Sequence, residues 1–84
     1  TLDAQGQMED ILRQVDAILA KAGTDKSRLI SVQIFLADMA DMAGMNRAWD
    51  AWLDKGNKPA RATVEAKLAD PSWKVELTGV AAQA

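Results

Sequence analysis

Cysteine and histidine are both absent from the 84 residues of this chain. Without cysteine the chain forms no disulfide, has no thiolate nucleophile and offers no sulfur ligand to a metal. Without histidine it lacks the commonest general base and the usual nitrogen ligand of zinc, copper or iron. An all-carboxylate magnesium or calcium site stays open, although the acidic residues do not have the spacing of an EF-hand.

Long apolar runs and an excess of basic residues are also lacking. No run approaches the ~20 apolar residues that span a bilayer, and the first residues lack the charged-then-apolar order of a signal peptide. The formal net charge is −2 with Lys and Arg dispersed along the chain, whereas nucleic-acid binding normally needs a basic face. We therefore expect a cytoplasmic protein with a small ligand, and neither a membrane nor a nucleic acid as its partner.

The residues that are present are those of a folded protein, with 49% apolar and 26% charged side chains. A chain of this length makes one domain at most, near the size at which a lone core is marginally stable. It starts at Thr1 without an initiator Met, and helical periodicity begins almost at once. We expect residues 1–84 to be a single domain that lacks its N-terminal part.

Two helices are predicted from apolar residues at three- and four-residue steps. The first covers residues 5–22 and ends at Gly23, which suits a left-handed cap. The second begins with Asp38 or Asp41 as its cap and ends at Gly56. Their apolar stripes comprise Met8, Ile11, Leu12, Val15, Ile18, Leu19 and Ala22 in the first helix, and Met42, Met45, Trp49, Trp52 and Leu53 in the second.

Three strands are predicted, over residues 28–37, 60–68 and 73–82, from alternating side chains. In the first strand, Ile30, Val32, Ile34 and Leu36 make a wholly apolar face, and the opposite face is mixed. A strand–helix–strand unit implies two parallel strands with the helix on one face. The fold class is therefore α+β, a mixed sheet with both helices on one face, whose other face is a protein–protein contact or a binding cavity.

Arg61 and Glu76 are the candidates for chemistry. Arg61 follows Pro59-Ala60 at the start of a strand, and its guanidinium matches a carboxylate with two parallel hydrogen bonds. Glu76 lies between core-facing Val75 and Leu77, so it points to the mixed face, where a carboxylate could move protons. Taken singly, each is more often an ordinary surface residue. The two tryptophans of the second helix are interpreted as packing on the sheet, with the alternative that one of them lines a cavity. Lys55 and Lys58 are interpreted as solvated.

The combination of these residues resembles the signature of the RidA (YjgF) family. An Arg flanked by small residues, in the run from Pro59 to Val64, is followed by Lys67 and by the triplet Val75-Glu76-Leu77. The segments before Pro59, including residues 34–39 and residues 45–49, match the family pattern in order and spacing. The Trp-x-x-Trp segment at Trp49 is similar to that of the short family members.

That resemblance implies a trimer formed through the sheets, with ligand sites between subunits and no metal or organic cofactor. The archetype hydrolyses 2-enamine and 2-imine acids, such as 2-aminoacrylate, to 2-keto acids and ammonia. By position, Arg61 matches the Arg that grips the substrate carboxylate, Glu76 the Glu that activates water, and Asn46 an Asn lining the site. Thr63 stands where the best-known members have Cys, and Thr would preserve the main-chain contact to ligand.

Three functions stay open. The first is a cytosolic homotrimeric 2-imino acid deaminase, and the second is a non-catalytic module that binds small carboxylic or keto acids. The third is nuclease or translation inhibition, which the acidic balance and the lack of His disfavour. Whether the last two strands form a hairpin or have another strand between them, Arg61 and Glu76 are expected ~10 Å or more apart. At least one of them is then expected to come from a neighbouring subunit.

Overall fold

The computed structural model describes residues 3–83, which form two α-helices and a sheet of three strands. In chain order the elements are α1 (Ala4–Lys21), β1 (Leu29–Leu36), α2 (Met42–Trp52), β2 (Ala60–Glu65) and β3 (Val75–Ala81), with short 3-10 turns at Lys26–Arg28 and Met39–Asp41. Strand β1 lies in the centre, parallel to β2 and antiparallel to β3. The predicted α+β fold with a mixed sheet is confirmed, and of the two strand arrangements considered, the one with a strand between β2 and β3 is observed.

Helix α1 has a complete cap at each end. Asp3 accepts a 2.8 Å hydrogen bond from the Gly6 amide in the first turn, which satisfies a donor that has no partner within the helix. At the other end Gly23 has φ +77°, and the Thr24 amide donates to the Leu19 carbonyl at 2.9 Å. This Schellman arrangement needs a residue that tolerates positive φ, so Gly23 ends the helix as predicted.

The core lies between the two helices and one face of the sheet. Side chains of α1, α2, β1 and β3 meet there, so both helices cover the same face, as expected. Gln7 fixes α1 over the turn before β3, because its side chain accepts from the Lys74 amide at 2.7 Å and donates to the Ser72 carbonyl at 3.0 Å. The fully buried apolar side chains are Met8, Leu12, Ile34, Leu36 and Met45.

A bulge in β1 corrects the predicted apolar face of this strand. Leu29 pairs with Ala81 and Ser31 with Val80, so two residues of β1 oppose one of β3 at Ile30. The extra residue reverses the alternation, which buries Leu29 and leaves Ile30 57% exposed on the open face. The prediction that Ile30 shares the core face with Val32 was therefore wrong, because it assumed that side chains alternate regularly from the first residues of β1.

The ends of α2 also differ from the prediction. Asp38 accepts from the Ala40 amide at 2.9 Å and caps the 3-10 turn, whereas Asp41 makes no side-chain capping bond. The helix ends at Trp52 and not at Gly56, since Leu53 already has an extended ψ of 137°. Asp54 then accepts from the Gly56 amide at 2.8 Å and forms a separate turn.

The outer strands, β2 and β3, are shorter than predicted. β2 stops at Glu65 because β1 ends at Leu36 and offers no further partner. β3 starts at Val75, since the Trp73 amide donates to the Asp70 carbonyl at 3.0 Å in a turn.

The C-terminal part of α1 is less buried than predicted. Ile18, predicted within the apolar stripe, is 64% exposed because it extends past β3, and no described element lies beyond that strand.

Candidate functional site

Arg61 lies on the helix side of the sheet, at its free edge. It pairs with Val32, and directly paired residues project to the same face, so the Arg61 side chain points towards α2. Its Nη1 donates to Asn46 Oδ1 at 2.7 Å. The structure therefore brings together two of the predicted site residues, one from β2 and one from the middle of α2.

Trp49 is a third member of this cluster that sequence reasoning did not assign to the site. The Arg61 Cζ lies 5.9 Å from the centroid of the Trp49 ring, within the range of a cation–π contact. The ring itself is 4% exposed, so it is held by the core as predicted and also faces the guanidinium. The signal that could have found it is its position three residues after Asn46, on the same face of α2.

A shallow groove of about 570 Å³ opens beside Arg61. Three cationic side chains line it and one carboxylate, that of Asp50, opposes them, so the groove favours an anionic ligand. Lys55 and Lys58 are exposed, in line with their interpretation as solvated, but they add to this positive wall. The lining residues are Asn46, Trp49, Asp50, Leu53, Lys55, Lys58, Pro59 and Arg61.

Thr63 presents its main chain, and not its hydroxyl, to the free edge of β2. The Ala66 amide donates to the Leu36 carbonyl at 2.9 Å, and main-chain groups alternate along a strand. The amide and carbonyl of Thr63 therefore point away from β1, into the space beyond the sheet edge. Within residues 3–83, the Thr63 Oγ1 is buried without a hydrogen-bond partner, so a ligand at the edge would meet the main chain of this residue.

Glu76 lies on the opposite face from Arg61. It pairs with Phe35, whose neighbours Ile34 and Leu36 are buried on the helix side, so Glu76 projects from the open face as predicted. The side chain is exposed, and it makes no hydrogen bond or ion pair with any described residue. Nothing among the described residues fixes the direction of this side chain.

A single chain does not bring Arg61 and Glu76 to one ligand. β1 lies between their strands, which separates them by two strand spacings, or ~10 Å. Their partners Val32 and Phe35 are three residues apart along β1, which adds ~10 Å in the perpendicular direction. Since the two side chains also leave from opposite faces, one small molecule does not contact both in the same chain.

Comparison with known proteins identifies the family. Residues 1–83 match the Endoribonuclease L-PSP family, so the chain belongs to that family. The RutC family protein of Haemophilus influenzae is 53% identical over 79 residues, which are 94% of this chain and 68% of that protein. The RutC family protein YoaB of Escherichia coli is 50% identical over 80 residues, 95% of this chain and 70% of that protein.

A solved structure of a YjgF family member from Neisseria meningitidis is 46% identical to this chain. It superposes with a TM-score of 0.96 over 98% of this chain and 69% of that one. Together with the sequence relatives, it confirms the resemblance to the RidA (YjgF) family and the family fold. Among residues 3–83, neither helix combines the length and the apolar character that crossing a bilayer requires.

Proposed function

We propose that this protein hydrolyses reactive 2-enamine and 2-imine acids to 2-keto acids and ammonia, in clefts between the subunits of a homotrimer. The observation that carries the proposal is the placement of Arg61 and Glu76 on opposite faces of one sheet. Both belong to the family signature, yet one small ligand reaches both only when two chains contribute. A site shared between subunits reconciles the signature with the geometry.

The open face of the sheet supports the association of subunits. Ile30 and Val80 are 57% and 56% exposed there, and Val64 is 39% exposed. Phe35, the β1 partner of Val64, is half-buried on the same face. Exposed apolar side chains on an uncovered sheet face are typical of interfaces, so pairing this face with another copy would bury them.

The proposed reaction uses orientation, a placed water and proton transfer. The Arg61 guanidinium binds the substrate carboxylate and holds the imine tautomer, whose C2 is already electrophilic. Glu76 of another subunit takes a proton from water as the oxygen adds to C2 and passes it to the imine nitrogen, which gives a tetrahedral amino alcohol. The same carboxylate then moves the hydroxyl proton to the nitrogen, the C–N bond breaks as the C=O bond forms, and ammonia and the 2-keto acid are released. Asn46 and the edge amide of Thr63 orient the carboxylate end.

The test is release of ammonia and keto acid from freshly generated 2-aminoacrylate by the full-length protein. Arg61→Ala should raise KM ~10-fold to 100-fold, since hydrogen bonds to charged groups contribute about 1.5–3 kcal/mol. Glu76→Gln should lower kcat ~10²-fold to 10⁴-fold. Arg47→Ala is the matched control, because Arg47 is an exposed arginine of α2 whose Nε donates to the Gln5 side chain at 2.8 Å. A rate no higher than background, or one unchanged in Arg61→Ala, would refute the proposal.

A non-catalytic module for small carboxylic or keto acids is the alternative at the same cleft. It shares the positive groove and Arg61, and it differs in what Glu76 does. A binding module would show stabilisation by a 2-keto acid that is lost in Arg61→Ala, with no turnover of 2-aminoacrylate.

Cleavage of RNA, which the family description names, has weaker support in this chain. The net charge of −2 and the three cations of one groove give no extended basic face for a phosphate backbone. RNA cleavage that survives stringent purification and disappears in Glu76→Ala would favour this function over deamination.

A further inference from the structure

Trp49 forms the partition between two spaces of the molecule. One side of the residue lines the positive groove that contains Arg61. The other side lines an apolar cavity beneath α1, walled by Leu12, Leu29 and Leu77 among others. With 4% exposure, the indole is fixed by the core, and its remaining face is the floor under the guanidinium.

Two contacts of different kinds restrain the Arg61 side chain. Asn46 Oδ1 accepts from Nη1 at 2.7 Å, which fixes one corner of the planar group. The Trp49 ring, 5.9 Å from Cζ, attracts the cation from a second direction. A guanidinium has five N–H donors, so one bond to Asn46 leaves the outer Nη2 and the Nε donors for a carboxylate.

We infer that Trp49 is a positioning residue, which holds the Arg61 guanidinium in place for a bidentate bond to the carboxylate of a 2-keto or 2-imino acid. The inference rests on the proposed function, because it assigns a role to Trp49 in binding at that same site. An exposed arginine loses side-chain entropy when it binds a ligand, and a preorganised one loses less. Through Trp49, the core thereby restrains the Arg61 guanidinium, which lies at the free edge of the sheet.

The neighbouring Trp52 provides a matched control. Its ring centroid lies 5.8 Å from that of Trp49, and both residues belong to the apolar stripe of α2. Trp52 has its own partners, since its Nε1 donates to Asp16 Oδ2 at 2.9 Å and Lys26 Nζ lies 5.0 Å from its ring centroid. It does not line the groove of Arg61.

The main experiment measures pyruvate binding and 2-aminoacrylate turnover in the full-length protein and in Trp49→Phe and Trp52→Phe. Phe is a weaker cation–π partner than Trp, so Trp49→Phe should raise the Kd of pyruvate and KM about two- to fivefold. The kcat should stay unchanged, because the carboxylate contact is made equally in the ground state and the transition state. Trp52→Phe should change neither constant.

A second measurement keeps Trp49 in place and therefore does not depend on how well the Trp49→Phe variant folds. In a full-length form in which Trp52 and Trp73 and any other Trp are replaced by Phe, Trp49 is the single fluorophore. Arg61→Met should change the Trp49 emission, and Arg47→Met should leave it unaltered.

The outcomes separate the two proposals. If wild-type protein binds pyruvate and turns over 2-aminoacrylate while Trp49→Phe behaves as Trp52→Phe does, or while Arg61→Met leaves the Trp49 emission unchanged, this inference is overturned and the proposed function stands. If wild-type protein neither binds pyruvate nor turns over 2-aminoacrylate, both are overturned.

Discussion

The two faces of the sheet are built from the same three strands and have opposite characters. On the helix side Val32, Ile34, Leu36 and Val75 are each at most 4% exposed beneath α1 and α2. On the open side Ile30 and Val80 are more than half exposed, and Glu76 has no partner among the described residues. The chain covers one face by itself and leaves comparable apolar side chains on the other.

The same difference applies to the two candidate site residues. Arg61, on the helix side, has a hydrogen bond to Asn46 and a ring contact with Trp49. Glu76, on the open side, has neither kind of contact with the described residues. The proposed binding group is thus oriented by its own fold, whereas the proposed catalytic group would be oriented by association.

The largest effect is expected from a charge on the open face. Val80→Lys should dissociate the proposed homotrimer, since burying an unpaired ammonium costs several kcal/mol per chain. Sedimentation velocity of the full-length protein measures the change. Ala17→Lys, on the exposed side of α1, is the control and should leave the sedimentation coefficient unaltered. A Val80→Lys protein of undiminished size would show that this face is not the interface.

A cavity on the helix side should cost somewhat less. Ile34→Ala, at a side chain with 0% exposure, should lower the free energy of unfolding by about 2–5 kcal/mol. Denaturant unfolding at several protein concentrations is the measurement. The loss should not vary with concentration, whereas that of Ile30→Ala should, because burial of Ile30 depends on association. Equal losses for both variants at every concentration would contradict the contrast between the faces.

A change of opposite sign is expected at Thr63. Its Oγ1 is buried without a hydrogen-bond partner among residues 3–83, so Thr63→Val removes an unsatisfied hydroxyl with little change of shape. We expect the free energy of unfolding to rise by about 1 kcal/mol. Thr78→Val, at an exposed position of the open face, should change it by less than about 0.5 kcal/mol. A clear destabilisation by Thr63→Val would mean that the hydroxyl gains a partner in the assembled protein.

The smallest effect lies in the turns, outside both faces. Hydrogen bonds from the Ser27 hydroxyl and amide lower the pKa of Asp25 from its usual 3.8. The Ser72 amide, at 2.8 Å, and its hydroxyl lower the pKa of Asp70 in the same way. A carboxyl whose folded pKa is below its unfolded value stabilises the fold above the unfolded value, and this stabilisation is lost as pH falls through the folded one.

Acid unfolding checks this linkage. Between about pH 5 and pH 2, Asp25→Asn combined with Asp70→Asn should lose less stability than wild type, because neither turn then has a carboxylate to protonate. Ser27→Ala combined with Ser72→Ala should flatten the curve in part, since the amide donors remain. Identical slopes for wild type and the double Asn variant would argue against a contribution from these turns.

Most of the fold was predictable because its signals are local. α1 follows from a stripe at helical spacing ended by Gly23, and the parallel pairing of β1 and β2 follows from the helix between them. The bulge at Ile30 was not predictable, since alternating apolar residues continue through it and the extra residue appears only when β3 is paired. The end of α2 at Trp52 was not predictable either, because the apolar pattern continues past it: Leu53 fits the stripe as well as Trp49 does.

The sequence predicted which residues belong to the candidate site better than it predicted how they are arranged. The resemblance selected Arg61, Asn46, Thr63 and Glu76, but which face Arg61 occupies depends on its pairing with Val32. β2 has small side chains on one face and polar ones on the other, so its pattern alone did not decide which face is covered. The proposed role of Trp49 was not predicted beyond the alternative that one of the two tryptophans lines a cavity, because an aromatic residue within an apolar stripe is interpreted first as part of the core.

The central position of β1 bears on how the chain folds. Its eight residues carry no charge, and both strands that flank it come later in the sequence. During synthesis this segment therefore emerges with both edges unpaired, and they stay unpaired until β2 and β3, which follow α2 in the sequence, have been made. An uncharged, apolar strand without proline is prone to aggregate in that interval. Arg28 and Asp38, which stand on either side of it, are placed to oppose such pairing by their charge.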